Sequence, residues 1–141
     1  MSGRTGPLTG RCLCGDVRFR LAGAPSAVEA CHCTQCQRWS GPYWSAATVR
    51  QDELVLENGH ESLAWYPSSD TAERGFCVLC GASLFWRRSD PGAPDVDVSL
   101  GALDQPTGLA VGAHIYADDA GDTYQVPRDA PHFTGLSGRN A

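Results

Sequence analysis

Seven cysteines carry most of the chemistry that this 141-residue sequence offers. Three of them fall within six residues, in Cys31-His32-Cys33-Thr34-Gln35-Cys36. The other four form two close pairs, Cys12-Leu13-Cys14 and Cys77-Val78-Leu79-Cys80, and a glycine follows each pair. This spacing is typical of metal sites, because two cysteines on one side of a tight turn supply one edge of a ligand tetrahedron.

The two pairs together predict one zinc site with four thiolate ligands, which we call the cysteine quartet: Cys12, Cys14, Cys77 and Cys80. Closed all-thiolate sites are normally structural. The glycine after each pair suits a tight turn, because glycine accepts a positive φ at little cost. The alternatives are two disulfides or free thiols, although an odd number of cysteines would leave one unpaired.

The remaining three, Cys31, Cys33 and Cys36, form the cysteine trio and predict a second zinc with one position left open. Three protein ligands and an open position are the pattern of a catalytic zinc. Three thiolates weaken the ion as a Lewis acid, so the site suits a soft substrate thiolate better than the generation of hydroxide. The alternative is a structural site that a distant fourth ligand closes. The candidates for that ligand are His60, His114 and His132.

Three further residues are candidates for substrate binding. Arg38 and Arg74 lie near the thiol turns in the sequence, and an arginine can pair with a substrate carboxylate. Either one can equally be an ordinary surface or sheet-edge arginine. Ser69 lies in a hydroxyl-rich loop. His32 stands between two predicted ligands, but strand alternation turns it away from them and predicts a packing or surface role. No residue is singled out as a general base.

The composition narrows the class of protein. All 11 basic residues are arginine, against 16 acidic residues and a net charge of −5. The absence of lysine excludes a Schiff-base lysine, and the acidic balance without a basic cluster argues against nucleic-acid binding. No apolar run resembles a secretory signal or a membrane span of about 20 residues. We therefore expect a cytoplasmic protein, a compartment in which closely spaced cysteines favour metal or redox chemistry over disulfides.

The hydrophobic pattern predicts a mostly β fold in one domain. Apolar residues alternate with arginines over 17–21, as in a strand with one wet face. Further strands are predicted at 27–33, 43–49, 54–56, 63–66, 83–86, 95–100 and 110–116, with a helical turn at 35–40 that Gly41-Pro42 stops. The strands at 54–56 and 63–66 flank a turn at Asn58-Gly59. The predicted organisation is a flexible tail at 1–9, a zinc-binding domain at 10–126 and an irregular segment at 127–141.

The order of these motifs resembles one known family, the glutathione-dependent formaldehyde-activating enzymes, which also includes the centromere protein V-like proteins. The matching motifs are Gly10-x-Cys12-x-Cys14-Gly15, Cys31-His32-Cys33-x-x-Cys36-Gln37-x-Trp39-Ser40-Gly41, Tyr66-x-Ser68-Ser69 and Arg74-x-Phe76-Cys77-x-x-Cys80-Gly81. The resemblance covers residues 10–115 and its seven-cysteine pattern is specific.

The resemblance implies a mostly antiparallel zinc β-tent fold, with the quartet as structural ligands and the trio as ligands of the catalytic zinc. It also implies a carbon–sulfur lyase activity, the condensation of glutathione with formaldehyde to S-hydroxymethylglutathione. The chain departs from the family at Ala82, where serine is common, and at the acidic segment 117–122, where a lysine is common. Acidic residues near the site would disfavour glutathione, which is itself an anion.

The expected partner is a small thiol or thiol adduct, with no nucleic acid and no membrane, and the sequence supports no particular oligomer. Two other functions are possible interpretations of the same residues. One is a binding module in which zinc is only structural. The other is a thiol redox or metal-handling protein in which the trio is the reactive element, and it predicts reversible oxidation of the trio after metal removal.

Overall fold

The structure is a computed structural model that describes residues 6–136. These residues contain ten strands and one α-helix: β1 (Leu8–Arg11), β2 (Arg18–Leu21), β3 (Ala27–Cys31), α1 (Thr34–Ser40), β4 (Trp44–Arg50), β5 (Leu54–Asn58), β6 (Leu63–Pro67), β7 (Ala72–Cys77), β8 (Ser83–Arg88), β9 (Asp95–Ser99) and β10 (Ala113–Ile115). Short 3₁₀ helices follow at Gln51–Glu53, Leu100–Ala102 and Ala117–Asp119. The prediction of a mostly β fold is confirmed.

The described residues divide into two compact units. Unit 1 comprises 6–26 and 47–109, and unit 2 comprises 27–46 and 110–136. Strand β1 begins at Leu8, inside the segment that the sequence predicted as a tail. The domain boundaries themselves stay a prediction, and the last five residues of the predicted irregular segment lie outside the described range.

Unit 1 contains two antiparallel arrangements of strands. One is a three-stranded sheet in the order β1-β2-β5. In the other, β7 pairs with β6 and β8, and β8 pairs with β9, all antiparallel. Strands β5 and β6 flank the turn at Asn58-Gly59 as predicted, but they do not form a hairpin, because β5 pairs with β2 and β6 pairs with β7. The partner of β5 is distant in sequence, and a local pattern does not identify such a partner, whereas β6 pairs with the next strand along the chain.

The hydrophobic core of unit 1 lies between these strands. The predicted alternation at 17–21 is confirmed, since Val17, Phe19 and Leu21 are buried while Arg18 is exposed. The Phe19 ring meets the edge of the Phe85 ring at 5.1 Å between centroids. Edge-to-face contacts of this kind add to the free energy that burial of the rings contributes.

Strand β1 packs closely on this core at Gly10. A Cβ atom at Gly10 would overlap the Phe19 ring and the Ala102 carbonyl oxygen. We expect Gly10→Ala to lower the free energy of unfolding by about 1–3 kcal/mol, the usual cost of overpacking. Urea unfolding followed by circular dichroism measures this change. Gly101→Ala is the control, because its Cβ would approach nothing closer than Ser99 Oγ at 3.8 Å. Equal stability of the two variants would contradict the prediction.

Unit 2 contains β3, α1, the first residues of β4, and β10. Strand β3 ends at Cys31, two residues before the predicted end, because Cys33 is already the N-cap of α1. The predicted helical turn is confirmed as α1, which ends at Ser40 with Gly41 as its C-cap. Strand β10 is shorter than predicted and pairs with β3 in parallel, with Ile115 opposite Cys31. The carboxyl ends of β3 and β10 therefore lie side by side.

Candidate metal centres and active site

The quartet sulfurs converge within unit 1. All four lie within 4.8 Å of one another, with Cys12 Sγ 3.5 Å from Cys14 Sγ and Cys14 Sγ 3.8 Å from Cys77 Sγ. A tetrahedral zinc with bonds of about 2.3 Å places its sulfurs about 3.8 Å apart, whereas a disulfide needs about 2.05 Å. The four cysteines are free thiols at separations that fit a metal ion.

Two matching turns present these sulfurs. Gly15 N–H donates to the Cys12 carbonyl oxygen at 3.2 Å, and Gly81 N–H donates to the Cys77 carbonyl oxygen at 2.7 Å. Both glycines adopt a positive φ, +84° and +79°, as the sequence predicted from their place after each pair. Side chains with a Cβ atom rarely adopt this conformation, so glycine is what allows each turn to close.

Electrostatics act differently on the individual thiols of the quartet. Burial opposes ionisation of Cys80, but hydrogen bonds from the backbone at Cys14 and Ala82 lower its pKa to about 6. The backbone at Asp16 also favours ionisation of Cys14, yet the neighbouring thiols, Cys12 first, raise its pKa to about 12. Four thiolates so close together repel one another, and full ionisation requires a cation between them.

The quartet is also part of the hydrophobic core. Cys12 and Cys77 are 2% and 0% exposed and belong to the same buried cluster as Phe19 and Phe85. A metal here would join the turn after β1 to the turn after β7, more than 60 residues apart in the sequence. Loss of that link would loosen the packing of the core as well as the turns.

The trio forms a second sulfur cluster, within unit 2. Its three sulfurs also lie within 4.8 Å of one another; Cys36 is buried and the other two are half-buried. The Cys36 N–H donates to Cys33 Sγ at 3.4 Å, so the N-cap of α1 is itself a ligand candidate. Hydrogen bonds that the Cys31 thiol donates to the sulfurs of Cys33 and Cys36, followed by burial, raise the pKa of Cys31. As in the quartet, a cation between the sulfurs would favour the thiolate forms.

No histidine or carboxylate of residues 6–136 joins either cluster. The three histidines proposed as a fourth ligand therefore lie elsewhere. His114 Nδ1 is 3.0 Å from His32 Nε2, and His132 Nδ1 is 2.9 Å from the Ala130 carbonyl oxygen. His60 is exposed in unit 1. The trio thus presents three sulfur ligands within the described part of the chain.

His32 is not part of the trio cluster, and because β3 ends at Cys31 the predicted alternation does not extend to it. It is 1% exposed, so of the two predicted roles, packing and surface, the structure supports packing. Its Nδ1 atom lies 2.7 Å from the Tyr124 hydroxyl, and its ring lies 4.9 Å from the Tyr43 ring. Burial and the charge of His114 lower its pKa, so the ring is neutral at pH 7. The network of His32, Tyr124 and His114 fixes the backbone that carries Cys31 and Cys33.

The three predicted substrate-binding residues fall in different units. Arg38 is exposed in the last turn of α1, two residues from Cys36. Ser69 and Arg74 belong to unit 1; Ser69 is exposed and accepts a hydrogen bond from Thr71 N–H at 3.2 Å. Arg74 is 4% exposed in β7. The structure brings Arg38 into the unit of the trio, and a substrate-binding role for all three stays a prediction.

Two residues near the trio were not identified from the sequence. Gln37 Nε2 donates to the carbonyl oxygens of both His32 and Asp119, at 2.8 Å each. Tyr116 follows β10 and has a left-handed backbone conformation, with φ 51°. The tyrosine gave no signal because its position depends on the parallel pairing of β10 with β3. A glutamine one residue after a ligand cysteine was visible as part of the motif, but its two acceptors were not.

None of the helices within residues 6–136 is long and apolar enough to cross a membrane.

The comparisons with known proteins agree with the cysteine pattern. The sequence profile of the family described as "Glutathione-dependent formaldehyde-activating enzyme" matches residues 7–119. An uncharacterized lyase of Schizosaccharomyces pombe is 27% identical over 125 residues, which cover 89% of each chain. A Halomonas elongata protein, provisionally named a glutathione-dependent formaldehyde-activating enzyme, is 29% identical over 85 residues, 55% of this chain and 54% of that protein. A Rhodobacter sphaeroides protein from structural genomics has a similar crystal structure, with a TM-score of 0.57, 25% identity, and coverage of 89% of this chain and 99% of that one.

Fold and site together define a mostly β protein with two thiol clusters of metal-binding geometry. The family match covers most of the chain, and the chain belongs to the glutathione-dependent formaldehyde-activating enzyme family. The names of its relatives support an enzyme of lyase type that uses a thiol.

Proposed function

We propose that this protein is a zinc-dependent carbon–sulfur lyase that forms and cleaves the adduct of a thiol and an aldehyde, such as glutathione and formaldehyde. The observation that carries the proposal is the trio: three sulfurs within 4.8 Å of one another, with no histidine or carboxylate of residues 6–136 among them. That donor set fits zinc and leaves one position of a tetrahedron for a substrate.

The residues divide between two zinc ions. Cys12, Cys14, Cys77 and Cys80 would hold a structural ion, and Cys31, Cys33 and Cys36 would hold the ion at the reaction site. When bound to the trio, zinc supplies a soft Lewis-acid position at which a thiol is favoured as its thiolate. The chain's own contribution is to fix the trio, through the α1 N-cap and the buried ring of His32.

The reaction itself is an addition and its reverse. The thiol sulfur forms a bond to the aldehyde carbon, the carbonyl π pair moves to the oxygen, and that oxygen gains a proton in place of the one the thiol loses. Arg38 is the proposed partner of a substrate carboxylate, because it is exposed near the trio at the end of α1. Ser69 and Arg74 are also proposed to bind the substrate.

Acidic residues affect which thiol is preferred. Gln37 ties the backbone of Asp119 to the backbone of His32, so the acidic segment that follows β10 is joined to the loop that carries the trio. An anionic thiol such as glutathione would meet the negative charge of this segment as well as the positive charge of Arg38. A related small thiol with less negative charge is the other candidate within the same reaction class. The clusters of free thiols make the cytoplasm the proposed compartment.

Zinc content and adduct exchange test this proposal together. Protein purified without added metal or chelator is expected to carry two zinc ions per chain by elemental mass spectrometry. It should also accelerate exchange between free formaldehyde and its glutathione adduct, measured at equilibrium by NMR exchange spectroscopy against the spontaneous rate. Protein with one zinc and no acceleration would contradict the proposal and favour a module in which zinc is only structural.

A further inference from the structure

We propose that Tyr116 is a catalytic residue of the trio site, whose hydroxyl donates a hydrogen bond to the aldehyde-derived oxygen of the adduct. The inference rests on the proposed lyase function and deepens it, because it assigns a residue to the oxygen end of the reacting carbon. Neither the family match nor the names of the relatives assign this role.

The parallel pairing of β3 and β10 brings Tyr116 to the trio. Ile115 lies opposite Cys31 in the register, and His32 N–H donates to the Ile115 carbonyl oxygen at 3.0 Å. Parallel strands end at the same edge, so the residues that follow each strand emerge together. The chain after β3 carries Cys33, and the chain after β10 begins with Tyr116.

The backbone of Tyr116 indicates that its side chain is needed. Within residues 6–136 it is the one residue other than glycine with a positive φ (φ 51°, ψ 40°). A tyrosine in this conformation is strained, whereas glycine or asparagine would adopt it more easily. Two hydrogen bonds hold it there: Tyr116 N–H donates to the Gly135 carbonyl oxygen and Asp119 N–H donates to the Tyr116 carbonyl oxygen, both at 3.0 Å. Strain of this kind is concentrated at functional sites.

The hydroxyl of Tyr116 is available as a donor. An ordinary tyrosine hydroxyl has a pKa of about 10 and is protonated at pH 7. Tyr116 is half-buried and directly follows Ile115, which lies opposite Cys31 in the β3–β10 register. A protonated hydroxyl at this end of the strands can donate a hydrogen bond to an oxygen that gains charge.

The neighbouring contacts hold this arrangement in place. The Gln37 amide bridges the His32 and Asp119 carbonyl oxygens at 2.8 Å each, and so ties the 3₁₀ helix that follows Tyr116 to the loop of the trio. As the sulfur–carbon bond forms, the π pair of the carbonyl moves to its oxygen, and the Tyr116 hydroxyl stabilises that charge without giving up its proton. The oxygen takes its proton from solvent, in balance with the proton that the thiol released.

Tyr116→Phe tests the role of the hydroxyl, because it keeps the ring and the backbone. We expect the enzymatic rate of adduct exchange to fall about 10- to 100-fold. This loss is at the lower end of, or smaller than, the loss of about 100- to 1000-fold that follows removal of one donor from an oxyanion site. Zinc content should stay at the wild-type value. Tyr66→Phe is the matched control, since Tyr66 is an exposed tyrosine of unit 1, and its rate should equal that of the wild type.

A binding measurement provides a second readout that does not depend on turnover. S-hydroxyethylglutathione carries a hydroxyl near the sulfur-bound carbon, and S-ethylglutathione lacks it. Calorimetry is expected to show that wild type prefers the hydroxyl-bearing thioether about three- to tenfold, the usual worth of one hydrogen bond, and that Tyr116→Phe loses this preference.

The outcomes separate the two proposals. If the wild type is active, and Tyr116→Phe catalyses adduct exchange at the same rate with the same thioether preference, the role of Tyr116 alone is overturned. Loss of zinc from Tyr116→Phe would overturn it too, because the hydroxyl would then act as a metal ligand. Wild type that neither accelerates exchange nor binds either thioether would overturn the lyase function itself.

Discussion

Replacement of Cys80 by serine is expected to abolish cooperative folding of unit 1 or to lower its stability severely. A structural zinc contributes about 10–16 kcal/mol of apparent binding free energy, which exceeds the net stability of most domains. Serine removes one of four sulfurs and leaves three others close together. Cys80 is half-buried, so its replacement costs less packing than that of Cys77, which is 0% exposed. The loss can therefore be attributed to the metal.

Urea unfolding, followed by far-UV and near-UV circular dichroism, would measure this effect. Val78→Ser is the matched control, because it places serine in the same turn at a side chain that is 53% exposed and supplies no ligand. A chelator added to the wild type should reproduce the unfolding of Cys80→Ser. If Cys80→Ser and Val78→Ser had the same unfolding midpoint, the quartet would not be structural.

The sequence predicted the two sulfur clusters well because cysteine spacing is a local property. A pair of cysteines with one or two residues between them, followed by glycine, requires a tight turn. Gly15 and Gly81 do adopt a positive φ. The two clusters then follow from the number of sulfurs that a tetrahedron holds. The alternation at 17–21 was equally local, and its buried face is the one that the structure shows.

The parts that could not be predicted depend on contacts between distant residues. The pairing of β5 with β2 and the parallel pairing of β10 with β3 join segments that are far apart in the sequence. The position of Tyr116 beside the end of β3 depends on that pairing. The buried hydrogen bonds of His32 likewise join residues more than 80 positions apart. The sequence therefore indicated a sulfur site but neither the proposed hydrogen-bond donor nor the supporting hydrogen bonds around it.

Replacement of Cys36 by serine should have the opposite result to that of Cys80. We expect a folded protein with one zinc per chain instead of two, and adduct exchange at about 1% or less of the wild-type enhancement, as for loss of a metal-bound catalytic centre. Unit 2 has other supports that do not need a metal: the β3–β10 pairing, the α1 N-cap and the hydrogen bonds of His32 and Gln37. Serine keeps the size of the side chain at this buried position.

Gln35→Ser is the control for Cys36→Ser, because it introduces the same residue at an exposed position of α1. Elemental mass spectrometry gives the zinc content, urea unfolding gives the stability, and NMR exchange gives the rate. A stable, inactive Cys36→Ser protein beside an unstable Cys80→Ser protein would mean that the two clusters have different roles. If Cys36→Ser unfolded as readily as Cys80→Ser, both clusters would be structural, and the case for catalysis at the trio would lose its main support.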